Sequence, residues 1–227
     1  MIGPMSFSRR QKVEIFVRIL LAFSFAVMAG LYFQNGSAAL GKIDFSNAPA
    51  YQTGHALSIF VVGLYAAMVA FLYAIRLPPA SRFPGVFPAI ASFLGGFLLF
   101  ALLLLSPRED LPFWAQIFSF LLIISGNGFA VFILSQLGRS FSILPESRRL
   151  VTSGAYSIVR HPLYLAEAVA ALGVVIIFLS PLAILLFVAQ LGWQLIRIHY
   201  EEKILKESFP EYEDYAKRTK RLIPWVY

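Results

Sequence analysis

The stretch that decides the fold runs from Leu163 to Ile198 and reads LYLAEAVAALGVVIIFLSPLAILLFVAQLGWQLIRI. It is too long for a single membrane span, because about 20 residues of helix cross the hydrocarbon core. Ser180-Pro181 divides the stretch near its middle, and proline interrupts the hydrogen-bond ladder of a helix. We therefore predict a helix-turn-helix hairpin with two membrane-spanning arms of roughly 17 residues each.

Four further apolar runs precede this hairpin, each bounded by charge, proline or glycine. They are Ile15–Phe33, Ala56–Ile75, Val86–Leu105 and Phe113–Ser135. The whole chain of 227 residues is 59% hydrophobic and 14% charged, with a mean hydropathy of +0.73, whereas soluble domains hold about 45–50% apolar and about 25% charged residues. The sequence predicts an all-α, polytopic integral membrane protein with about six transmembrane helices, the last two forming the hairpin.

The ionisable residues divide this chain into two parts. Residues 1–135 contain few of them and are predicted to form a four-helix transmembrane frame. Residues 136–227 hold a loop, the hairpin and a short C-terminal segment, and most of the charge lies there. Since ionisable groups are costly inside a membrane and have a function by default, we expect the chemistry in this second part.

The basic residues that give the net charge of +7 are distributed according to the predicted membrane topology. Of the 19 basic residues, 17 fall on one side of a six-span arrangement, and Lys42 and Arg108 fall on the other. Lys and Arg are enriched in cytoplasmic segments, so both termini are expected in the cytoplasm. The first apolar run is expected to be an uncleaved anchor. The expected location is a bacterial-type cell membrane. A nucleic-acid partner is not expected, because the sequence shows no basic stripe with interleaved aromatic residues.

Thiol chemistry is excluded, because the chain has no cysteine. Disulfides, thiolate metal sites and cysteine nucleophiles are therefore absent. His55 and His199 have no companion residues at metal-ligand spacing, so no metal site is predicted.

The segment Arg160-His161-Pro162 opens the hairpin. Proline disfavours helix at the residue before it and suits the first helical turn, so His161 is expected to be extended and Pro162 to begin the helix. The free N–H groups of that helix end favour an anion. One turn later Tyr164 and Glu167 share a helix face, and a carboxyl group in so apolar a helix needs a cavity or a partner.

The second arm carries a polar stripe. Gln190, Gln194, Arg197 and Glu201 are spaced by 4, 3 and 4 residues, which places them on one face of a helix. Such a face should avoid lipid. Folded back at the turn, it can face Tyr164 and enclose a polar pocket that opens to the cytoplasm, with the aromatic and charged segment from residue 203 onward as a lid.

These residues together resemble a known family. The motifs are Gly154-x-Tyr156-x-x-Val159-Arg160-His161-Pro162-x-Tyr164, Arg197-x-x-x-Glu201-Glu202, Phe209-Pro210-Glu211-Tyr212-x-x-Tyr215 and Ile223-Pro224. In this order and spacing they resemble the isoprenylcysteine carboxyl methyltransferases and their phospholipid methyltransferase relatives. The resemblance covers roughly the last third of the chain. In agreement with it, no dinucleotide-binding fingerprint follows a strand, and Gly126-Asn127-Gly128 is interpreted as a helix-packing or kink site.

The resemblance implies an S-adenosylmethionine-dependent methyltransferase whose lipidic or prenylated substrate enters sideways from the bilayer and whose cofactor enters from the cytoplasm. It implies cofactor-binding roles for Tyr156, Arg160, His161, Pro162, Tyr164, Glu167 and Glu201. It implies catalytic roles for Arg197, Glu201 and Glu202. The acceptor would be bound by Gln190, Gln194 and Arg197.

The nature of the methyl acceptor stays open at this stage. A carboxylate needs a cation such as Arg197 to hold it, as in carboxyl O-methylation of a prenylated cysteine. A phospholipid amine needs a base, such as Glu201, Glu202 or Glu167. A non-catalytic membrane carrier or scaffold that keeps the pocket is the alternative of another class.

The same side chains also have structural interpretations. Arg160 can serve as a membrane anchor and His161 as a helix cap, and Glu167 can form a structural ion pair with Arg197. Tyr156 and Tyr164 can be aromatic residues of the membrane interface. Glu201 and Glu202 can be solvated partners of basic residues on the same helix. Gln190 and Gln194 can form hydrogen bonds between helices.

Overall fold

The computed structural model describes residues 9–43, 50–82 and 85–224. Seven α-helices occur within these ranges: α1 Arg9–Leu40, α2 Ala50–Ile75, α3 Val86–Phe97, α4 Phe113–Leu137, α5 Pro162–Phe178, α6 Pro181–Ser208 and α7 Tyr212–Arg218. Two strands of two residues each, β1 Ser81–Arg82 and β2 Glu146–Ser147, pair antiparallel. The prediction of an all-α fold is confirmed.

Five helical segments in the described residues are long and apolar enough to cross a membrane. They are α1, α2, α3 with its continuation, α4 and α6. The first arm of the hairpin, α5, is apolar but has only 17 residues. A polytopic membrane protein is thus confirmed, whereas the count of six spans is not.

The third predicted span is not one continuous α-helix. α3 ends at Phe97, and the chain continues as a tighter 3-10 helix over Leu98–Leu104. The backbone N–H of Leu99 donates to Gln190 Oε1 of α6 at 3.0 Å. A neighbouring side chain therefore enters the backbone ladder at this point, which is a known cause of helix distortion.

The two arms of the hairpin pack mainly on different helices. α5 lies along α4, where a Cβ built on Gly126 would be 2.8 Å from the Ala166 carbonyl oxygen. α6 lies along α3, where a Cβ on Gly95 would be 3.3 Å from the Gln194 backbone nitrogen. Small residues allow these close approaches, as is usual between membrane helices. The predicted turn is present, since Ser180 Oγ accepts from the Ala183 N–H at 3.1 Å and α6 begins at Pro181.

The C-terminal segment folds back over the start of α5. Val159 forms a parallel bridge with Lys220, and the backbone N–H groups of Arg160 and His161 donate to the carbonyls of Lys220 and Arg221 at 2.7 and 2.9 Å. This pairing occupies the backbone donors just before the helix N-terminus. The segment therefore covers the Arg160-His161 corner, which is the position expected for a lid.

Candidate active site

The site begins at the corner where α5 starts. Pro162 is the first residue of α5, as predicted, and its missing N–H costs nothing there. His161 is buried and non-helical, but its φ of −128° and ψ of 56° differ from the extended backbone that we expected. In this conformation the backbone N–H of His161 donates to the Arg221 carbonyl.

Glu202 of α6 contacts three basic side chains at this corner. Its Oε1 accepts from Arg160 Nε at 2.7 Å and lies 3.2 Å from His161 Nε2. Its Oε2 accepts from Arg221 Nε at 2.9 Å. Arg160 also donates to the carbonyls of Ala216 and Thr219. The carboxylate thus connects α5, α6 and the C-terminal segment.

Deeper in the protein, Arg197 and Tyr164 connect the two arms. The guanidinium carbon of Arg197 lies 4.7 Å from the centroid of the Tyr164 ring. Glu201 Oε1 accepts from Arg197 Nε at 3.2 Å and from the Tyr164 hydroxyl. Arg197 is 4% exposed, so its charge is balanced mainly by this carboxylate rather than by water.

Two cavities meet at Arg197. The first, here called the polar cavity, is about 100 Å³ in volume and is lined by polar side chains that include Ser140, Arg148, Tyr156, His161, Tyr164 and Glu201. The second, here called the apolar cavity, is about 250 Å³ and is lined by residues that include Phe25, Tyr65, Phe97, Asn127, Glu167 and Gln190. Arg197 and Phe141 line both. One buried cation therefore lies where a polar and an apolar space adjoin.

Three tyrosine hydroxyls of the polar cavity lie outside the spanning helices. Burial raises the pKa of Tyr156, Tyr212 and Tyr215, that of Tyr215 to about 12. These hydroxyls are therefore protonated at neutral pH and can donate hydrogen bonds. The Tyr215 hydroxyl donates to the Tyr156 carbonyl at 2.6 Å. This hydrogen bond holds α7 against the cavity.

The polar cavity has groups that suit S-adenosylmethionine, which carries a carboxylate, an ammonium group, hydroxyls and a sulfonium. Arg160 in its wall suits the carboxylate, and Glu201 suits a positive charge. Ser140 Oγ is buried there and has no hydrogen-bond partner among the residues that the structure describes, which is unusual for a buried hydroxyl and leaves a group for a ligand. The residues of the polar cavity fit the chemical groups of the cofactor.

The structure divides the predicted site residues between the two cavities. Tyr156, Arg160, His161, Tyr164, Arg197 and Glu201 line the polar cavity, whereas Glu167 and Gln190 line the apolar one. Gln194 is buried against α3, and its Nε2 has no hydrogen-bond partner. Glu202 lines a surface groove beside α7. The roles assigned to these residues remain predictions.

Sequence reasoning missed several members of the site. Tyr65 of α2 donates to Glu167 Oε1 at 2.7 Å, although its apolar span shows no motif. Arg148 was interpreted as a topological charge, yet it is buried and donates to Glu146 Oε2 at 2.7 Å. Ser140 precedes the region of the motifs. A hydropathy profile shows where a helix crosses a membrane but not which of its polar groups face a cavity.

Comparisons with known proteins agree with the resemblance drawn from the motifs. Residues 114–212 match the phospholipid methyltransferase family. Protein-S-isoprenylcysteine O-methyltransferase B of Arabidopsis thaliana is 34% identical over 121 residues, which cover 50% of this chain and 61% of that protein. Protein-S-isoprenylcysteine O-methyltransferase of Saccharomyces cerevisiae is 34% identical over 114 residues, or 47% of each chain.

A third similar protein has a name of another kind. Nickel-cobalt-cadmium resistance protein NccN of Alcaligenes xylosoxydans xylosoxydans is 37% identical over 81 residues, which cover 35% of this chain and 38% of that protein. In the part of the chain that the structure describes, no three His, Asp or Glu side chains are grouped to hold a metal ion. The chain spans less than two thirds of the length of each of these three relatives.

Proposed function

Since the chain is a relative of the isoprenylcysteine carboxyl methyltransferases and phospholipid methyltransferases, we propose that it is an integral-membrane methyltransferase that uses S-adenosylmethionine on a lipidic acceptor. The position of Arg197 between the two cavities is the observation that carries this proposal. In-line transfer brings the sulfonium methyl and the acceptor atom to within about 3–3.5 Å of each other, so the two substrates need adjoining spaces that meet.

The polar cavity is the proposed cofactor site. When bound, S-adenosylmethionine supplies a methyl group activated by its sulfonium. Arg160 would bind its carboxylate, and Tyr164 would hold Glu201 toward the positive end. The chain's own contribution is positioning and the exclusion of water, because the leaving group needs no further activation.

The apolar cavity is the proposed acceptor site. A groove between α1 and α3, about 300 Å³ in volume, shares Phe25, Met28, Phe97 and Ile143 with it. α1 exposes Phe16, Phe23 and Leu31 on its outer surface, as expected of a helix that faces lipid. A lipid chain can therefore pass from the bilayer along this groove into the apolar cavity.

The names of the relatives make carboxyl O-methylation of a prenylated cysteine the first candidate reaction. Arg197 is the cation that would hold such a carboxylate. Glu167 in the wall of the apolar cavity favours a second candidate, N-methylation of a phospholipid amine, because an ammonium group must lose a proton before it attacks. In both cases we propose cytoplasmic termini in a bacterial-type cell membrane, with the polar cavity opening to the cytoplasm.

The test uses the full chain in lipid nanodiscs with methyl-labelled S-adenosylmethionine and a total membrane extract that contains prenylated cysteine as well as phospholipids. The proposal expects labelled lipid, with a base-labile label for an ester and a base-stable label for an amine. Arg160→Ala and Glu201→Ala should each lower cofactor binding and transfer, whereas Lys42→Ala, at an exposed site after α1, should not. Cofactor binding without transfer to any lipid would support a carrier or scaffold instead. Binding that both site variants leave unchanged would contradict the site.

A further inference from the structure

A glutamine at the end of α4 holds the turn that precedes the Arg160-His161 corner. Gln136 Oε1 accepts a hydrogen bond from the backbone N–H of Ala155 at 2.8 Å. Gly154, the residue before Ala155, has a φ of +63°, and a Cβ built there would lie 2.7 Å from Gln136 Cδ. The glycine therefore allows both the left-handed backbone and the close approach of the glutamine side chain. Gln136 belongs to none of the sequence motifs.

This turn is connected by hydrogen bonds to the C-terminal segment. It is a short 3-10 helix over Gly154–Ser157, and it places Tyr156 in the wall of the polar cavity. The Tyr156 carbonyl accepts from the Tyr215 hydroxyl of α7 at 2.6 Å. The Tyr215 carbonyl accepts from the N–H and the hydroxyl of Thr219, at 3.2 and 2.8 Å. A series of contacts thus runs from α4 through the turn to the segment that covers the corner.

Gln136 acts on this series from outside the cavity. Leu137, the next residue of α4, lines the polar cavity, whereas Gln136 is directed to the turn. Ala155 lies in the first turn of its short helix, where a backbone N–H has no acceptor within the helix and needs one from elsewhere. Tyr156 and Tyr215 are both buried, so water competes little for the hydrogen bond between them. The glutamine can therefore be replaced without altering the wall of the cavity.

We infer that Gln136 is a positioning residue for cofactor retention: it fixes the turn that carries Tyr156 and, through Tyr215, keeps the C-terminal segment closed over the polar cavity. This inference rests on the proposed function and concerns how long its cofactor stays bound. Without the Gln136 acceptor, the N–H of Ala155 must turn to water, and the Tyr156 carbonyl moves with the same stretch of backbone. The contact with Tyr215 then weakens, although every group in the cavity wall is still present.

The first test is the rate at which labelled S-adenosylmethionine leaves the protein in phosphatidylcholine nanodiscs when excess unlabelled S-adenosylmethionine is added. Gln136→Leu removes the acceptor at similar volume, so release should be about 3–10-fold faster, as expected for one neutral hydrogen bond. Gln136→Glu keeps an acceptor oxygen at the same reach and should release at nearly the wild-type rate. A wild-type rate in the leucine variant, or an equal acceleration in the glutamate variant, would overturn the inference.

Hydrogen exchange separates this inference from the proposed function, because it needs no cofactor. Gln136→Leu should speed exchange over residues 154–157 and over residues 212–219, whereas Tyr215→Phe should speed it over the second range alone. The double variant should exchange over residues 212–219 no faster than Tyr215→Phe, because both changes interrupt the same series of contacts. Unaltered exchange over this range in Gln136→Leu would contradict the inference even if the protein binds S-adenosylmethionine and methylates a lipid.

Steady-state kinetics distinguish positioning from a general loss of structure. Gln136→Leu should raise the KM for S-adenosylmethionine and leave kcat at saturating S-adenosylmethionine undiminished. Gln116→Leu makes the same change near the start of α4, where Gln116 Nε2 donates to the Leu111 carbonyl at 2.6 Å. This control should alter neither release nor exchange over residues 212–219. A parallel fall of kcat and melting temperature in Gln136→Leu, or an equal effect of Gln116→Leu on release, would contradict the positioning role.

Discussion

The guanidinium of Arg197 lies over the ring of Tyr164, with 4.7 Å between the guanidinium carbon and the ring centroid. The two residues belong to different arms of the hairpin, and Glu201 accepts a hydrogen bond from each of them. Because the arms pack mainly on different helices, this contact is where they act together. Arg197 also lines both the polar and the apolar cavity.

Replacement of Arg197 should lower methyl transfer and leave cofactor binding intact. Arg197→Met keeps much of the apolar volume and removes the charge, so Glu201 loses one of its two donors. We expect methyl transfer to fall by about 100-fold, in line with the loss of a buried charge-assisted hydrogen bond. Labelled methyl incorporation measures this, with Arg108→Met at an exposed pair as the control. Transfer at the wild-type rate would show that Arg197 has only a structural role.

Arg197→Lys provides the conservative comparison. Lysine keeps the charge but lacks the planar group that stacks on Tyr164 and donates to Glu201 at the same time. Its transfer rate should lie between those of the wild-type protein and Arg197→Met. A rate equal to that of the methionine variant would mean that geometry, not charge, is required.

The C-terminal segment should loosen when Glu202 loses its charge. Glu202→Gln weakens the contacts with Arg160, His161 and Arg221 and so frees the lid. Breaking a fully buried pair costs about 3–5 kcal/mol. Because Glu202 is partly exposed, the cost here is smaller, and we expect cofactor affinity to fall by about 10–100-fold. Hydrogen exchange should become faster over residues 212–221. Glu207→Gln changes an exposed glutamate of α6 outside this segment and should leave the exchange unaltered.

The contact between α4 and α5 offers a test with a matched glycine pair. A Cβ at Gly126 would lie 2.8 Å from the Ala166 carbonyl oxygen, whereas a Cβ at Gly128 would meet nothing within 4 Å. Gly126→Ala should therefore destabilise the protein by about 1–3 kcal/mol through overpacking, and Gly128→Ala should not. Thermal unfolding in detergent compares the two. Equal melting temperatures for both variants would argue against this helix contact.

The passage from the groove to the apolar cavity should depend on Phe97. Its ring lies 6.1 Å from that of Phe25, and both line the groove and the cavity. Phe97→Trp should narrow the passage and lower kcat/KM for long-tailed acceptors by about tenfold, as expected when a packed site is overfilled. Acceptors with short tails should be less affected. Phe129→Trp, at an exposed position of α4, is the control, and an equal loss for both tail lengths would contradict lateral access.

The sequence was most informative where local chemistry determines structure. The start of α5 at Pro162 and the start of α6 at Pro181 follow from the constraints of proline. The polar stripe of α6 correctly predicted that Arg197 and Glu201 would face the first arm. These features depend on spacing along one helix, which can be counted in the sequence.

Features that depend on packing between distant helices could not be predicted. Tyr65 lies in an apolar span, and its partner Glu167 is 102 residues away in the chain. The family resemblance groups Glu167 with the cofactor residues, yet the structure places it in the wall of the apolar cavity. Nor does hydropathy reveal the change to a 3-10 helix after Phe97, where the Gln190 side chain accepts from the backbone of Leu99.

The central claim is that Arg197 and Glu201 stand between a cofactor site and a lipid acceptor site. The most direct measurement is single-turnover transfer of a labelled methyl group from bound S-adenosylmethionine to lipid in nanodiscs, for the wild-type protein and for Arg197→Met. Our account predicts labelled lipid with the wild-type protein and almost none with the variant, although the variant retains cofactor. Equal labelling by both proteins, or no labelled lipid from a wild-type protein saturated with cofactor, would contradict it.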